Sequence, residues 1–310
     1  MDNNQVKTAI VLGANGFVGF GLAMGLSRAG YKVYGVIRQE TYAQQLAQQE
    51  ILPIIGDFEE TSWTEKLGPI DVIVNASQSK KDVDIWVENL LNLVTKIAKK
   101  QTRKPLFIFT SGIYVYGDTG RTNEPDFHSV DEETPYNPLP SAAFRIKTVE
   151  RLLASEDFYT SVVLPGMIYG RGQSYYGIYI KQAETSDKIV AHTPPETVWH
   201  GVHIDDVADA YVRIANLGEK AHGKKYNVAG DKYETIDEIL RALVKHFGNR
   251  HEIVYVDPEN KEAYLGLRVS IWVNSDKIRR ELGWAPKKAS FTDGVEEYVS
   301  AWRAYQTQNK

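Results

Sequence analysis

The 310-residue chain contains no cysteine, which excludes disulfide bonds, thiolate metal ligands and thiol nucleophiles. It also lacks a basic surplus: 36 lysines and arginines stand against 40 aspartates and glutamates, and the net charge of −4 argues against a nucleic-acid or membrane-surface partner. No apolar run approaches the roughly 20 residues of a membrane helix, and residues 1–5 are polar, unlike a signal peptide. No cluster of histidines and carboxylates has the spacing of a metal site. These absences predict a cytoplasmic protein that binds a small molecule and no metal.

A glycine-rich turn stands between a strand-like and a helix-like segment near the start of the chain. The apolar run 8–12 precedes it, and residues 20–29 follow with a helical pattern. Glycine permits the sharp bend and lets the backbone approach a pyrophosphate, while first-turn helix amides favour the negative charge. The spacing is G-x-x-G-x-x-G rather than G-x-G-x-x-G, but its strand–turn–helix context predicts a dinucleotide site. Its candidate cofactor-binding residues are Gly13, Asn15, Gly16, Phe17, Val18 and Gly19.

Short apolar runs alternate with helical segments through the first half of the chain. Strands are predicted at 8–12, 32–37, 52–55, 72–74, 106–109 and 161–164, and such runs are typical of strands buried on both faces of a parallel sheet. The alternation predicts an α/β Rossmann fold, a doubly wound parallel sheet. Because it ends near Arg171, we assign residues 1–170 and about 198–222 to a dinucleotide-binding domain. A smaller mixed substrate-binding domain takes about 171–197 and 223–310.

Several motifs stand in the order seen in the extended short-chain dehydrogenase/reductase family, the group of nucleotide-sugar epimerases and dehydratases. The chain resembles this family over nearly its whole length, through Gly13-x-x-Gly16-x-x-Gly19, Gly56-Asp57, Asn75-Ala76-Ser77 and the segments 110–117, 165–172, 202–208, 226–228 and 281–286. The resemblance implies a bound nicotinamide dinucleotide with Asp57 near the adenine, although a turn or cap aspartate fits that position equally well. It also implies that Asn75, Ala76 and Ser77 line the cofactor groove and that Pro165 lies near the nicotinamide.

The end of the second strand distinguishes the two nicotinamide cofactors. A carboxylate at this position binds the ribose 2′-hydroxyl of NAD, whereas an arginine accommodates the 2′-phosphate of NADP. Here Arg38 occupies the position, and the first acid is Glu40. The sequence therefore favours NADP(H) over NAD(H), against the alternative that Arg38 is a solvated arginine at a strand end.

The catalytic positions depart from the family pattern. Members use a Tyr-x-x-x-Lys pair on one helix face, in which the phenol exchanges the proton and the ammonium lowers its pKa. The segment 139–150 has no such pair: depending on the alignment, Ala142 and Ile146 or Ala143 and Lys147 occupy the two places. The position of the usual catalytic serine or threonine is occupied by a glycine, with Ser111 one step earlier.

Three residues are candidates for the missing chemistry. Ser111 could polarise a carbonyl, Tyr114 could face the substrate, and Lys147 could hold the nicotinamide ribose, with Arg145 as an alternative cation in the same helix. Each also has an ordinary structural interpretation, as a strand-end serine, a packed tyrosine or a solvated helix lysine.

Three functions remain open from the sequence. The first is an atypical NADP(H)-dependent oxidoreductase acting on a small carbonyl, enone or sugar-like substrate. The others are a nucleotide-sugar epimerase or dehydratase with bound NAD, and a non-catalytic NADP-binding sensor or assembly module. The resemblance also implies a homodimer through the helices at 83–99 and 144–154, although the apolar stripe of Trp86, Leu90 and Val94 could instead face the protein's own sheet.

Overall fold

The structure, a computed structural model, describes residues 6–78 and 82–308; the polar residues 1–5 lie outside them. The strands are β1 (Thr8–Leu12), β2 (Lys32–Ile37), β3 (Leu52–Ile55), β4 (Val72–Asn75), β5 (Leu106–Thr110), β6 (Tyr159–Pro165), β7 (Met167–Gly170), β8 (Gln173–Ser174), β9 (Lys188–Ala191), β10 (Val198–Trp199), β11 (Gly201–His203), β12 (Lys225–Val228), β13 (Glu234–Thr235) and β14 (Glu252–Tyr255). The helices are α1 (Phe17–Arg28), α2 (Ala43–Ala47), α3 (Val83–Lys99), α4 (Phe144–Leu153), α5 (Gly177–Thr185), α6 (Ile204–Leu217), α7 (Ile236–His246), α8 (Leu265–Arg268), α9 (Asp276–Leu282) and α10 (Val295–Gln308).

A seven-stranded sheet in the order β12-β6-β5-β4-β1-β2-β3 joins the first six strands of the chain with the later strand β12. The pairs β1–β2, β1–β4, β2–β3, β4–β5 and β5–β6 are parallel. The order 3-2-1-4-5-6 within it is that of the Rossmann fold, with the reversal of direction between β1 and β4. The predicted fold class is thus confirmed, and the carboxyl ends of β1 and β4 mark the position where such sheets bind ligands.

Burial follows the position of each strand in this sheet. In β1 and β4 the apolar side chains are completely or almost completely buried, as expected for central strands. Strand β3 differs, since Leu52 is 43% exposed and Ile55 is 47% exposed. The expectation that every run is buried on both faces is wrong here, because β3 is an edge strand and one side of it has no neighbour.

Helix α3 directs its apolar residues into this same core. Its first turn is capped by Asp82, whose carboxylate accepts the amide of Ile85 at 3.0 Å. Leu90 and Val94 are fully buried within the chain, while Trp86 is partly exposed. Leu90 and Val94 therefore pack in the chain's own core. A homodimer formed through this helix remains a prediction.

The chain divides into two compact units whose boundaries differ from the sequence-based division. The first unit comprises the described residues up to Ser111 together with 143–164 and 207–226, and the second comprises 112–142, 165–206 and the described residues from 227 onward. Segment 112–142 joins the second unit because its backbone bonds to the C-terminal part of the chain: Thr119 N donates to Ser270 O and Val130 N to Trp272 O, both at 2.9 Å. No local pattern reveals a pairing between segments so far apart in sequence.

The second unit has an aromatic core of its own. Tyr176, Trp199 and Phe291 are almost completely buried, and the Tyr176 and Phe291 rings stack with centroids 4.1 Å apart. A complete capping box begins α7, in which Thr235 and Glu238 satisfy each other's backbone amides. No helix in the described parts of the chain has the length and hydropathy to cross a membrane.

Candidate dinucleotide-binding site

The glycine turn after β1 has the geometry that its three glycines permit. Gly13 has a φ of +80°, which favours glycine, and its amide and that of Ala14 both donate to Val36 O at 3.2 Å. A Cβ on Gly19 would lie 2.1 Å from Gly13 O, so the helix can approach the turn this closely only with glycine. Gly16 has room for a side chain, since its nearest neighbour, Gly13 O, would be 3.4 Å from an added Cβ.

The start of α1 suits a phosphate group. Its N-cap is Gly16, which has no side chain to bond the first-turn amides, and the first turn contains no acidic residue. Asn15 and Gly16 are exposed, and Phe17 and Val18 are partly exposed. Because first-turn amides have no partner inside a helix and carry its positive dipole end, the residues present fit a pyrophosphate.

The strand ends beside the turn are tied together by polar contacts. A Cβ on Gly13 would lie 2.9 Å from Ser77 Cβ, so the loops after β1 and β4 are in close contact. The side chain of Asn75 is almost fully buried and accepts the Ser77 hydroxyl at 2.8 Å, and the Ala76 amide donates to Leu12 O at 3.0 Å. Ser77 is therefore held at the same end of the sheet as the glycine turn, and the cofactor contacts of these three residues remain predictions.

Arg38 lies after β2, and Asp57 lies after β3. Arg38 follows β2 directly and is exposed, as are Gln39 and Glu40 after it. The Asp57 carboxylate accepts the amides of Glu59 and Glu60 at 2.9 and 2.7 Å, so it has the structural role that the sequence left open. Its contact with adenine stays a prediction.

Helix α4 presents Arg145, not Lys147, to the end of β5. Thr148 and Leu152 are buried and mark the inner face of the helix, whereas Lys147 is exposed. Arg145 donates from Nη1 to Thr110 O at 3.0 Å and from Nη2 to Gln78 Oε1 at 2.9 Å. Arg145, the alternative cation considered from the sequence, therefore lies beside the carboxyl end of β5.

A buried network that sequence reasoning missed surrounds Thr110. The Thr110 hydroxyl donates to Asn75 O at 2.5 Å and lies 2.7 Å from the Tyr211 hydroxyl, and Tyr211 is fully buried on α6. Burial raises the pKa of Tyr211 even though the Arg145 charge acts in the opposite direction. Ser111, the next residue, is 6% exposed, and its amide donates to Val163 O at 2.8 Å. The sequence gives only a weak signal for this contact. Tyr211 lies in a helical segment, and no residue near it in the chain identifies Thr110 as its partner.

In the second unit, the hydroxyls of Tyr114 and Tyr116 are bonded to the protein. Tyr114 donates to Gly266 O at 2.6 Å, and burial followed by the nearby Tyr175 raises its pKa. Tyr116 donates to Asn227 Oδ1 at 2.8 Å, and burial again raises its pKa. Tyr116 therefore has a structural contact within the second unit, and the Tyr114 proton is directed to a backbone carbonyl.

Burial favours the neutral form of two histidines of the second unit, His200 and His203. His200 Nε2 lies 3.2 Å from Gly230 O, and its Nδ1 accepts the Val273 amide at 3.3 Å. Burial lowers the pKa of His200 to about 4 and that of His203 to about 4. Among the residues that the structure describes, no group of three or more histidine, aspartate and glutamate side chains is placed to hold a metal ion.

The corner after β6 requires glycine beside Pro165. Pro165 is buried, and the Gly166 amide donates to Val228 O at 2.9 Å. A Cβ on Gly166 would lie 2.3 Å from His200 O, which explains the Pro-Gly pair without a ligand. The nicotinamide contact of Pro165 stays a prediction.

A Rossmann sheet whose β1 leads through a glycine turn into an uncapped helix defines a dinucleotide-binding protein of the α/β class. Residues 9–229 match the model of the NAD dependent epimerase/dehydratase family, and the chain belongs to this family.

Similar proteins extend the comparison. An uncharacterized protein of Sinorhizobium fredii is 25% identical over 62% of this chain, which spans about half, 52%, of that protein's length. The ketoreductase sphI of Aspergillus fumigatus is 23% identical over 84% of the chain and 93% of its own length. The structure of dTDP-glucose 4,6-dehydratase from Bacillus anthracis in complex with NAD has a TM-score of 0.78 at 20% identity, covering 97% and 98% of the two chains. At this identity, the likeness to the dehydratase structure shows the fold alone.

Proposed function

We propose that this protein is an NADPH-dependent reductase of small carbonyl compounds that works without the family's tyrosine and lysine pair. The observation that carries the proposal is the glycine turn with its uncapped, acid-free helix start, followed one strand away by the exposed Arg38. When bound, the cofactor supplies a hydride to the carbonyl carbon while the oxygen takes up a proton, giving an alcohol and NADP⁺.

The first unit supplies the groups for holding the dinucleotide. First-turn amides of α1 would donate hydrogen bonds to the pyrophosphate oxygens, and the Arg38 guanidinium would pair with a 2′-phosphate. The bonds from Arg145 to Thr110 O and Gln78 Oε1 link the last residue of β5 with the segment after β4. Positioning of this kind can supply a large part of the rate enhancement without a proton-transfer group.

The proton at the substrate oxygen is assigned to solvent. Tyr114 donates its proton to Gly266 O and its pKa is raised by burial, so transfer to a substrate would require this bond to break. Lys147 is exposed on the outer side of α4. Ser111 is the residue we assign to polarising the carbonyl oxygen, because it directly follows β5 at the carboxyl end of the sheet, where the glycine turn also lies.

The proposal is tested by measuring NADPH and NADH affinities and then NADPH oxidation with a panel of aldehydes, ketones and enones. We expect tighter binding of NADPH and turnover of at least one carbonyl, with kcat reduced at least tenfold in Ser111→Ala and unchanged in the exposed control Ser141→Ala. Equal affinity for both cofactors contradicts the choice of cofactor. Turnover that survives in Ser111→Ala contradicts the role of Ser111.

A second candidate function is a non-catalytic NADP-binding module. The bond from Tyr114 to Gly266 O favours it, because this contact ties up a hydroxyl that could otherwise exchange protons. Tight NADPH binding with no turnover across the whole panel would support this function over the reductase.

A further inference from the structure

Within the first unit, the hydroxyls of Tyr211 and Thr110 form a chain of two hydrogen bonds that ends on the backbone of β4. The Thr110 hydroxyl donates to Asn75 O at 2.5 Å, and its oxygen lies 2.7 Å from the Tyr211 hydroxyl. A threonine hydroxyl has one proton and a carbonyl oxygen only accepts, so the Thr110 proton lies in the bond to Asn75. Tyr211 is therefore the donor to Thr110, and the chain runs in one direction, from α6 through β5 to β4.

Tyr211 is a permanent donor on a helix that is held in place. Its side chain is fully buried, and burial raises its pKa, so the phenol keeps its proton. Helix α6 also lies directly against α1, since a Cβ on Gly25 would be 2.7 Å from Ala208 Cβ. The chain of hydrogen bonds thus starts from a buried group on a closely packed helix.

The accepting end of the chain lies in the segment that contacts the glycine turn. Asn75 is the last residue of β4, and its side-chain oxygen accepts the Ser77 hydroxyl at 2.8 Å. Ser77 in turn lies against the turn, because a Cβ on Gly13 would be 2.9 Å from Ser77 Cβ. A displacement of the Asn75 backbone would therefore move Ser77 relative to Gly13, at the carboxyl end of the sheet where Rossmann folds bind their dinucleotide.

A second set of bonds reaches the same segment from α4. Arg145 donates to Thr110 O at 3.0 Å and to Gln78 Oε1 at 2.9 Å. Thr110 is thus held through its carbonyl by α4 and through its hydroxyl by α6. Removal of the Tyr211 hydroxyl would leave the Thr110 oxygen without its donor in a buried site. We expect residues 75–78 to occupy additional positions once the bond from α6 is lost.

We propose that Tyr211 is a positioning residue of the dinucleotide site, which acts through the Thr110 hydroxyl to hold residues 75–77 in the conformation that binds the cofactor. The proposal rests on the proposed function, because it takes the first unit to bind NADPH. Its physical basis is preorganisation. When only a fraction of the molecules has the binding conformation, the apparent dissociation constant rises by the inverse of that fraction.

The test measures the NADPH and NADH dissociation constants of the full-length protein by calorimetry, and amide hydrogen exchange of residues 72–78 without cofactor. Tyr211→Phe removes the donor, and Thr110→Val removes the hydroxyl through which it acts. We expect each variant to weaken both cofactors about 3- to 10-fold, the range that corresponds to the loss of one neutral hydrogen bond. Exchange in residues 72–78 should become faster. Thr110→Ser keeps the hydroxyl and should bind both cofactors as wild type does.

Tyr31→Phe is the matched control. It removes a tyrosine hydroxyl that also donates to α6, at 2.8 Å to Asn216 Oδ1, but Tyr31 precedes β2 and so lies towards the amino end of the sheet. Both cofactor affinities and the exchange of residues 72–78 should be unchanged in this variant. Tyr211→Phe should cause no further loss of affinity when it is combined with Thr110→Val, since the hydroxyl that connects Tyr211 to Asn75 is then absent.

Three results would overturn the proposal: cofactor affinities that are unchanged in Tyr211→Phe, additive losses in the double variant, or a loss in Tyr31→Phe as large as in Tyr211→Phe. If Tyr211→Phe weakens cofactor binding while no carbonyl is reduced by wild type, the reductase function fails and the positioning role stands. If Tyr211→Phe reduces a carbonyl with wild-type affinity for NADPH, the positioning role fails and the reductase function stands.

Discussion

Replacing Arg38 by alanine is the most direct test of cofactor choice. The exposed guanidinium after β2 would form charge-assisted hydrogen bonds to a 2′-phosphate, and hydrogen bonds to charged groups contribute about 1.5–3 kcal/mol. Since about 1.4 kcal/mol corresponds to a tenfold change in affinity, the NADPH dissociation constant should rise about 10- to 100-fold. Solvent screening of an exposed pair places the result towards the lower end of this range and makes it smaller at high salt.

Fluorescence titration of NADPH and NADH into wild type and Arg38→Ala measures this difference. NADH has no 2′-phosphate, so its affinity should change by less than about threefold. Arg103→Ala is the matched control, because Arg103 is also exposed but precedes β5 and so lies towards the opposite edge of the sheet. Equal losses for both cofactors, or a loss in Arg103→Ala as large as in Arg38→Ala, would refute the assignment.

Four further outcomes follow from the described contacts. Gly19→Ala places a Cβ 2.1 Å from Gly13 O and should lower the free energy of unfolding by about 1–3 kcal/mol in denaturant titrations. Gly16→Ala should leave stability near wild type while weakening NADPH binding, and a fall in stability equal to that of Gly19→Ala would contradict this. Arg145→Met should cost about 1–3 kcal/mol of stability, and Arg145→Lys should restore less than half of it because an ammonium cannot reproduce the fork to two oxygens. His200 has a folded pKa of about 4, below its ordinary value, so the unfolded chain binds a proton that the folded chain does not. The contribution of neutral His200 to the free energy of unfolding, at most about 3 kcal/mol, is therefore lost as the pH falls from about 6.5 to 4. His200→Gln should show a flatter pH dependence of stability than wild type in urea unfolding, and an identical slope would count against it.

The sequence predicted the strands and the glycine turn of the first unit well, because each depends on residues that are adjacent in the chain. The strands at 8–12 and 32–37 match β1 and β2 residue for residue, since a central strand must be a short apolar run. The glycine turn has the conformation expected of it, because a positive φ at Gly13 and a close approach at Gly19 both require glycine. The pattern could not reveal that β3 ends the sheet, since an edge and a central strand have similar sequences.

Contacts between distant segments were beyond the reach of the sequence. Thr110 and Tyr211 lie 101 residues apart, and their pairing depends on how α6 packs on the sheet. The same holds for Tyr114 and Gly266, separated by 152 residues. A tyrosine next to a family motif suggested a group facing the substrate, and only the structure shows that its hydroxyl is bonded to a carbonyl.

Arg145, and not Lys147, faces the sheet, and this position is consistent with the absence of the family's catalytic tyrosine. Helical periodicity puts Arg145 with Val149 on the inner face of α4, and Lys147 falls on the other side. A guanidinium stays charged at all accessible pH values, so the cation that reaches the end of β5 can hold the backbone but cannot exchange a proton. An alanine at the tyrosine position and an arginine facing the sheet are therefore consistent with each other: with no phenol to activate, the nearby cation has only a positioning role. Under the proposed function, a reductase built in this way would depend on placing the two reactants and would take its proton from water.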